Sequence, residues 1–296
     1  MKPDRIRLHG SGKRNFQGGL YALPMGLWFT LFFLFPLLII AVYSVLRKDV
    51  HGGVLPEFTL QAYRQMLTPA YGKLFLRTLW VSAVSTFFCI LLALPCGYAI
   101  AKSRRQTFLL VLVMIPFWTN SLIRINAWIG ILGNEGFLND LLRKAGFIQE
   151  SIRFLYNQNA VILVLVYMFL PYAILPVFTS IDKFDFSLLE AAQDLGAGKF
   201  QALRKVMLPN IRPGITTAVI FTFIPIFGTY TVPLFVGGQD SYLIGNVIVD
   251  QATKIGNWPL AAAVSMVITV ISTAAILLMM YTGPREGKNP AGKETA

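Results

Sequence analysis

A chain of 296 residues with 55% hydrophobic residues, only 14% charged residues and a mean hydropathy of +0.60 carries too much apolar surface for a water-soluble globule, and it reads as an integral membrane protein. Its net charge of +12 does not indicate nucleic acid, because the basic residues fall in short stretches between apolar runs, the distribution that orients a chain in a bilayer. Two cysteines and two histidines, scattered over different segments, make no metal-ligand set.

Residues 1–19, with Lys2, Arg5, Arg7, Lys13 and Arg14, read as a cytoplasmic N-terminal tail. The apolar run that follows is too long for a signal-peptide core and has no small-residue cleavage site, so it is expected to stay as an anchor. Gly10-Ser11-Gly12-Lys13 is not a phosphate loop: Arg7 stands where the leading glycine is required, and Arg14 replaces the magnesium-binding hydroxyl.

Residues 20–281 form the expected membrane domain. Six segments, near 20–46, 75–101, 108–132, 160–180, 215–236 and 260–281, are each long enough to cross a hydrocarbon core of about 30 Å, which takes roughly 20 helical residues. Prolines 24, 36, 95, 116, 171, 176, 225 and 233 lie within them and predict bent helices. Cys89 and Cys96 sit about 10 Å apart along one segment and cannot bridge. Between segments, residues 58–67 and 137–142 have the pattern of short amphipathic helices at an interface.

The third segment contains Pro116-Phe117-Trp118-Thr119-Asn120-Ser121-Leu122-Ile123-Arg124, an unusual polar run for mid-membrane, whose side chains are expected to face the bundle interior or a water-filled path. Arg124 lies roughly 24 Å along this segment at about 1.5 Å per residue, toward the outer boundary, where its side chain is expected to snorkel. No Asp or Glu lies inside any of the six segments.

Residues 187–209, SLLEAAQDLGAGKFQALRKVMLP, are the best-patterned polar stretch. Ser187 and Glu190 have capping-box spacing and predict a helix start near Leu188. Leu188, Ala191, Ala192 and Leu195 share one side, Gly196 and Gly198 allow a bend, and a second amphipathic run carries Phe200, Leu203, Val206 and Met207 until Pro209 and Pro213 end it. The expectation is a helix, an elbow and a helix.

Assigning the loops to alternate sides puts sixteen lysines and arginines with both termini and the 187–209 loop, and nine on the other side, leaving Arg124 within a segment. The positive-inside rule makes the first side cytoplasmic, including a C-terminal tail over 282–296.

Glu190-Ala191-Ala192, Gly196 and Val206-x-Leu208-Pro209 resemble the EAA loop of permease subunits in binding-protein-dependent ABC transporters, with Val206 where isoleucine is usual. The resemblance implies an all-α membrane protein with six transmembrane helices and the ABC importer permease fold, its cytoplasmic EAA loop seated in a cleft of an ATPase subunit. It implies coupling roles for Glu190, Ala191, Ala192, Gly196, Leu208 and Pro209. The implied partners are a second permease subunit, an ATPase subunit dimer and an external solute-binding protein, in a setting of membrane lipid and without nucleic acid. The chain itself is then no enzyme and holds no cofactor, ATP and Mg being bound by the partner ATPase.

The 116–124 run, LLEAAQDLGA, LIGNVI from Leu243 and NWPLAAA from Asn257 resemble spermidine/putrescine permeases, which implies polyamine import across the inner membrane. Trp118, Asn120, Trp128 and Tyr230 are the candidate translocation path, polar and aromatic without a carboxylate. The outer loops, with acidic residues such as Glu57, Asp140 and Asp240, would receive the binding protein. A permease for another small solute, or a secondary transporter subunit, is the alternative; the latter calls for buried acidic or paired ionisable groups, and Arg124 alone meets that description.

Overall fold

The computed structural model describes residues 23–50 and 52–282. The tail expected over 1–19 and all but the first residue of that expected over 282–296 lie outside the described residues. The described chain is mostly helical, as long apolar runs in a bilayer require, since lipid offers backbone groups no hydrogen bonds.

Helix α1 (Leu23–Ser44) contains a π-turn over Thr30–Leu34, immediately ahead of Pro36, the residue that cannot donate to the ladder. A hairpin follows, β1 (Leu46–Lys48) pairing antiparallel with β2 (Val54–Phe58), and then α2 (Gln61–Met66). The hairpin was not foreseen: it is too short to show an alternating pattern. Helix α3 (Pro69–Lys102) begins six residues before the expected segment and passes through Pro95.

The third expected span is broken. Helix α4 (Gln106–Met114) tightens into a 3-10 turn, Ile115–Trp118, and stops; α5 (Ser121–Leu132) then sets off, with α6 (Phe137–Lys144) following, and the two halves are bent by 90°. Pro116 at the turn and Asn120, whose side chain accepts the Leu122 N–H at 2.8 Å, make the break. The axial position reckoned for Arg124 on a straight helix therefore does not hold.

Helix α7 (Gln158–Asp182) is a continuous span despite Pro171 and Pro176. Helix α8 (Ser187–Asp194) and α9 (Lys199–Asn210, with a π-turn over Leu203–Met207) form the polar loop, and α9 bends by 71° into α10 (Arg212–Phe227). Pro209 does not end α9, which runs one residue past it; the π-turn just upstream absorbs the missing donor. The fifth span ends at Phe227, not near 236. Residues Gly228–Tyr230 interrupt it before α11 (Thr231–Val236), and α12 (Ile244–Thr253) and α13 (Trp258–Thr282) complete the described chain.

Four of the helices are long and apolar enough to cross a membrane, or six spans if each bent pair is counted as one, among the described residues. At the centre α7 packs against α3 and α10. There Gly97 brings α3 within contact of Val177 and the Phe178 backbone, and Gly214 brings α10 so close to α7 that a methyl group would fall 2.3 Å from Ser180 Cβ. Helix α13 forms a second pillar, packed on α1, α12 and α2. Most large apolar side chains of α1 face outward, as lipid permits. Cys89 and Cys96 are both free thiols, the first buried.

Candidate functional site

The polar loop is built on a firm base. Phe184 and Leu189 are buried in one cluster with Ile100, Ile181, Ala202, Met207 and Ile211, joining α3, α7, α8 and α9. Gln106 donates to the Ala101 carbonyl at 2.8 Å and to Asp182 Oδ1 at 3.2 Å, tying the start of α4 to the ends of α3 and α7. The Phe186 ring lies edge-on to Phe184 (5.6 Å) and to Tyr98 (6.2 Å), and the Lys102 ammonium sits over Tyr98 and Phe186 at 5.4 and 5.6 Å.

That packing explains why the capping box expected at Ser187 does not form. Phe186, held among these rings, takes helical dihedrals (φ −66°, ψ −19°), so Ser187 is already inside the helix. Asp185 serves instead, accepting the Ser187 N–H at 3.0 Å. The bonds from the Ser187 hydroxyl and backbone hold the Asp185 carboxyl below the ordinary carboxylate range.

The elbow is as expected. Gly196 has φ +87°; its N–H donates to the Gln193 carbonyl at 2.9 Å and that of Ala197 to the Ala192 carbonyl at 3.0 Å, the paired bonds of a Schellman termination. Of the predicted coupling residues, Glu190, Ala191, Gly196 and Pro209 are exposed, while Ala192 and Leu208 pack partly against the cluster beneath. The outer side of the loop is apolar as well as small: Leu195 is 90% exposed and Phe200 78%. A rigid base with a protruding apolar knob and small residues between is the shape of an element that docks into a cleft.

Three of the four candidate path residues lie at the two helix breaks, and Trp128 lies inside a helix. Trp118 ends the 3-10 turn before the first break and is exposed, and Asn120 caps the helix after it. Tyr230 lies in the second break, before α11. Trp128, two turns into α5, packs edge-on to Tyr167 of α7 at 5.3 Å. The helices that follow the two breaks meet, α11 packing against α5 and α7, with Ile125, Leu132, Leu165, Val232 and Val236 buried between them. Arg124 stands over the Phe117 ring at 5.4 Å, so a cation–π contact, and not snorkelling alone, accounts for its place.

What fixes the second break is Asn246, fully buried in α12. Its amide donates to the Tyr230 carbonyl at 2.9 Å and its Oδ1 accepts the Leu243 N–H at 3.2 Å, while Thr78 of α3 accepts the Ile244 N–H at 2.9 Å. Gly245 lies so close to the break that a Cβ there would be 2.6 Å from the Thr229 carbonyl oxygen. The LIGNVI string is thus a clasp, a role that no spacing argument predicts because its partner is sixteen residues earlier. Most of the acidic residues expected on the outer side are engaged locally: Glu57 with Arg47 (2.9 Å), Asp140 and Glu135 with Arg143 (2.7 and 3.6 Å), and Asp250 with Lys254 (2.8 Å).

Residues 15–286 match the family described as binding-protein-dependent transport system inner membrane component. The chain is 38% identical over 269 residues to the spermidine/putrescine transport system permease protein PotB of Salmonella typhimurium, covering 90% of this chain and 93% of that one. It is likewise 38% identical to PotB of Escherichia coli, over 86% of this chain and 92% of that protein. Among solved structures, a bacterial ABC transporter involved in the import of the acidic polysaccharide alginate superposes with a TM-score of 0.73 over 91% of this chain and 95% of its own, at 17% identity, a likeness of fold. With a family match across nearly its whole length, the chain belongs to the inner membrane components of binding-protein-dependent transport systems.

Proposed function

We propose that this chain is the permease subunit of an ATP-driven importer of polyamines, paired with a second permease subunit, two ATPase subunits and an external binding protein. The similarity to spermidine/putrescine permeases, even over almost the full length of both chains, carries the substrate assignment. In this reading the 187–209 loop faces the cytoplasm and inserts Leu195 and Phe200 with Ala191 and Gly196 into the ATPase, which binds ATP and Mg; this chain hydrolyses nothing. Trp118, Asn120, Trp128 and Tyr230 line the path where the helices are broken, and both termini are cytoplasmic.

Affinity inside a path without carboxylates can come only from aromatic faces, amides and carbonyls, and a cation on a ring contributes about 0.5–2 kcal/mol. Choice among polyamines is therefore set by the external binding protein. Competition uptake with spermidine and putrescine in proteoliposomes holding the whole complex tests both statements. Trp118→Ala and Tyr230→Ala are expected to slow uptake without altering the order of preference. A reversed order with the same binding protein would assign selection to this subunit, and uptake of neither polyamine by the wild type would leave a different small solute as substrate.

A further inference from the structure

Arg124 holds a guanidinium at a depth where the bundle offers it no counter-charge. Two ring contacts fix that depth against α7. Phe117, under the guanidinium at 5.4 Å, lies edge-on to Tyr172 at 4.7 Å, and Trp128, one turn after Arg124, lies edge-on to Tyr167 at 5.3 Å. At about 1.5 Å per residue, Tyr167 and Tyr172 are about 14 and 21 Å along α7 from Gln158, on either side of the middle of a continuous span. Arg124 is bracketed between them.

No carboxylate answers the charge. Among α4, α5, α7, α10 and α11 only α7 carries one, Asp182 in its last position, about 15 Å further along than Tyr172. Arg47 and Arg143 meet carboxylates at 2.9 and 2.7 Å, whereas Arg124 has no such partner among the described residues, and its Nε is buried without a hydrogen bond. The Phe117 ring seats the guanidinium without neutralising it, which a carboxylate would do. The surroundings are an aromatic face left open: Trp118, Tyr167 and Tyr172 are all exposed. Such rings attract ammonium groups, yet the one nearest the break is already occupied by the chain's own cation.

An uncompensated charge in the middle of a bundle is costly, and residues of this kind mark ion or substrate pathways. At about 7 Å and an effective dielectric of about 20, one unit charge lowers the occupancy of another of the same sign by a factor on the order of 50. We propose that Arg124, positioned by Phe117, is an electrostatic barrier that closes the path to inorganic cations when no substrate is being driven through it. The assignment rests on the reading that the path runs past the helix breaks.

The complete complex in proteoliposomes without ATP tests it, with rubidium as the cation and erythritol as an uncharged solute. Arg124→Met keeps an apolar stem and removes the charge, and Arg124→Lys keeps the charge. Rubidium entry is expected to be about tenfold faster with Arg124→Met than with the wild type and to stay at the wild-type rate with Arg124→Lys, while erythritol entry is the same in all three. Equal rubidium entry in the wild type and Arg124→Met overturns the proposal. So does erythritol entry that rises in step with rubidium, which would mean that the side chain seals by packing, and so does an Arg124→Lys complex as leaky to rubidium as Arg124→Met. If Arg124→Met does not assemble, Arg124→Gln is measured in its place. ATP-driven spermidine uptake by the wild type is scored separately: its absence would remove the polyamine reading and leave the rubidium comparison standing.

Discussion

At the scale of the residue, two side-chain positions decide whether the functional parts keep their shape. Gly196 turns the 187–209 loop at φ +87°, and a Cβ there would meet nothing within 4 Å, so any substitution penalty is in the backbone itself. An L-residue in that region costs about 1–2 kcal/mol. Gly196→Val is expected to leave the amount of protein in the membrane unchanged and to cut ATP-driven uptake sharply, which immunoblotting beside a transport assay would separate; normal uptake would dispose of the elbow's coupling role. Asn246 is the counterpart within the bundle. Asn246→Ala strands the Tyr230 carbonyl and the Leu243 N–H, each buried polar group left unpaired costing about 1–3 kcal/mol. A lowered melting temperature of the complex, together with slower uptake, is the expected result. The elbow was legible in the sequence because a glycine at a helix end has a local cause. The Asn246 clasp was not, because its meaning lies in a carbonyl that only the folded chain brings near.

At the scale of the element, the breaks matter more than the spans. Six apolar runs were readable from length alone, but hydropathy carries no information on direction, so a 90° turn between α4 and α5 looks like one continuous segment. Proline marked where bending was allowed without saying how much: Pro95 and Pro171 stay inside continuous helices, whereas Pro116 sits in the turn before a break, where Asn120 is at hand to cap the next helix. The crossing of α7 and α10 offers a test of tight packing. Gly214→Ala would put a methyl group against Ser180 and the Pro176 carbonyl, 2.3 and 2.8 Å away, forcing the two helices apart just where the 187–209 loop re-enters the bundle. Overpacking of this kind costs about 1–3 kcal/mol. The variant is expected to lose stability and uptake together, and Ser180→Gly in the same chain is expected to restore part of both. A double variant no better than Gly214→Ala would mean the close approach is not what the glycine serves.

At the scale of the whole molecule, the proposed coupling depends on orientation. The excess of lysine and arginine on one set of loops predicts that the 187–209 loop and both termini share the cytoplasmic side. With Cys89 and Cys96 first replaced, a cysteine introduced by Lys199→Cys is expected to react with an impermeant thiol reagent only after the membrane is opened, and one introduced by Asp140→Cys is expected to react in intact spheroplasts. The opposite pattern would put the loop beyond the reach of any ATPase.

The apolar knob on the 187–209 loop bears on the proposed assembly as well as on transport. Leu195 and Phe200 are 90% and 78% exposed in the isolated chain, so a copy with nothing docked on the 187–209 loop displays a leucine and a phenylalanine to water. If the loop docks into an ATPase subunit as proposed, copies made without that partner are expected to be cleared faster, and a pulse-chase with and without it would measure the difference in half-life.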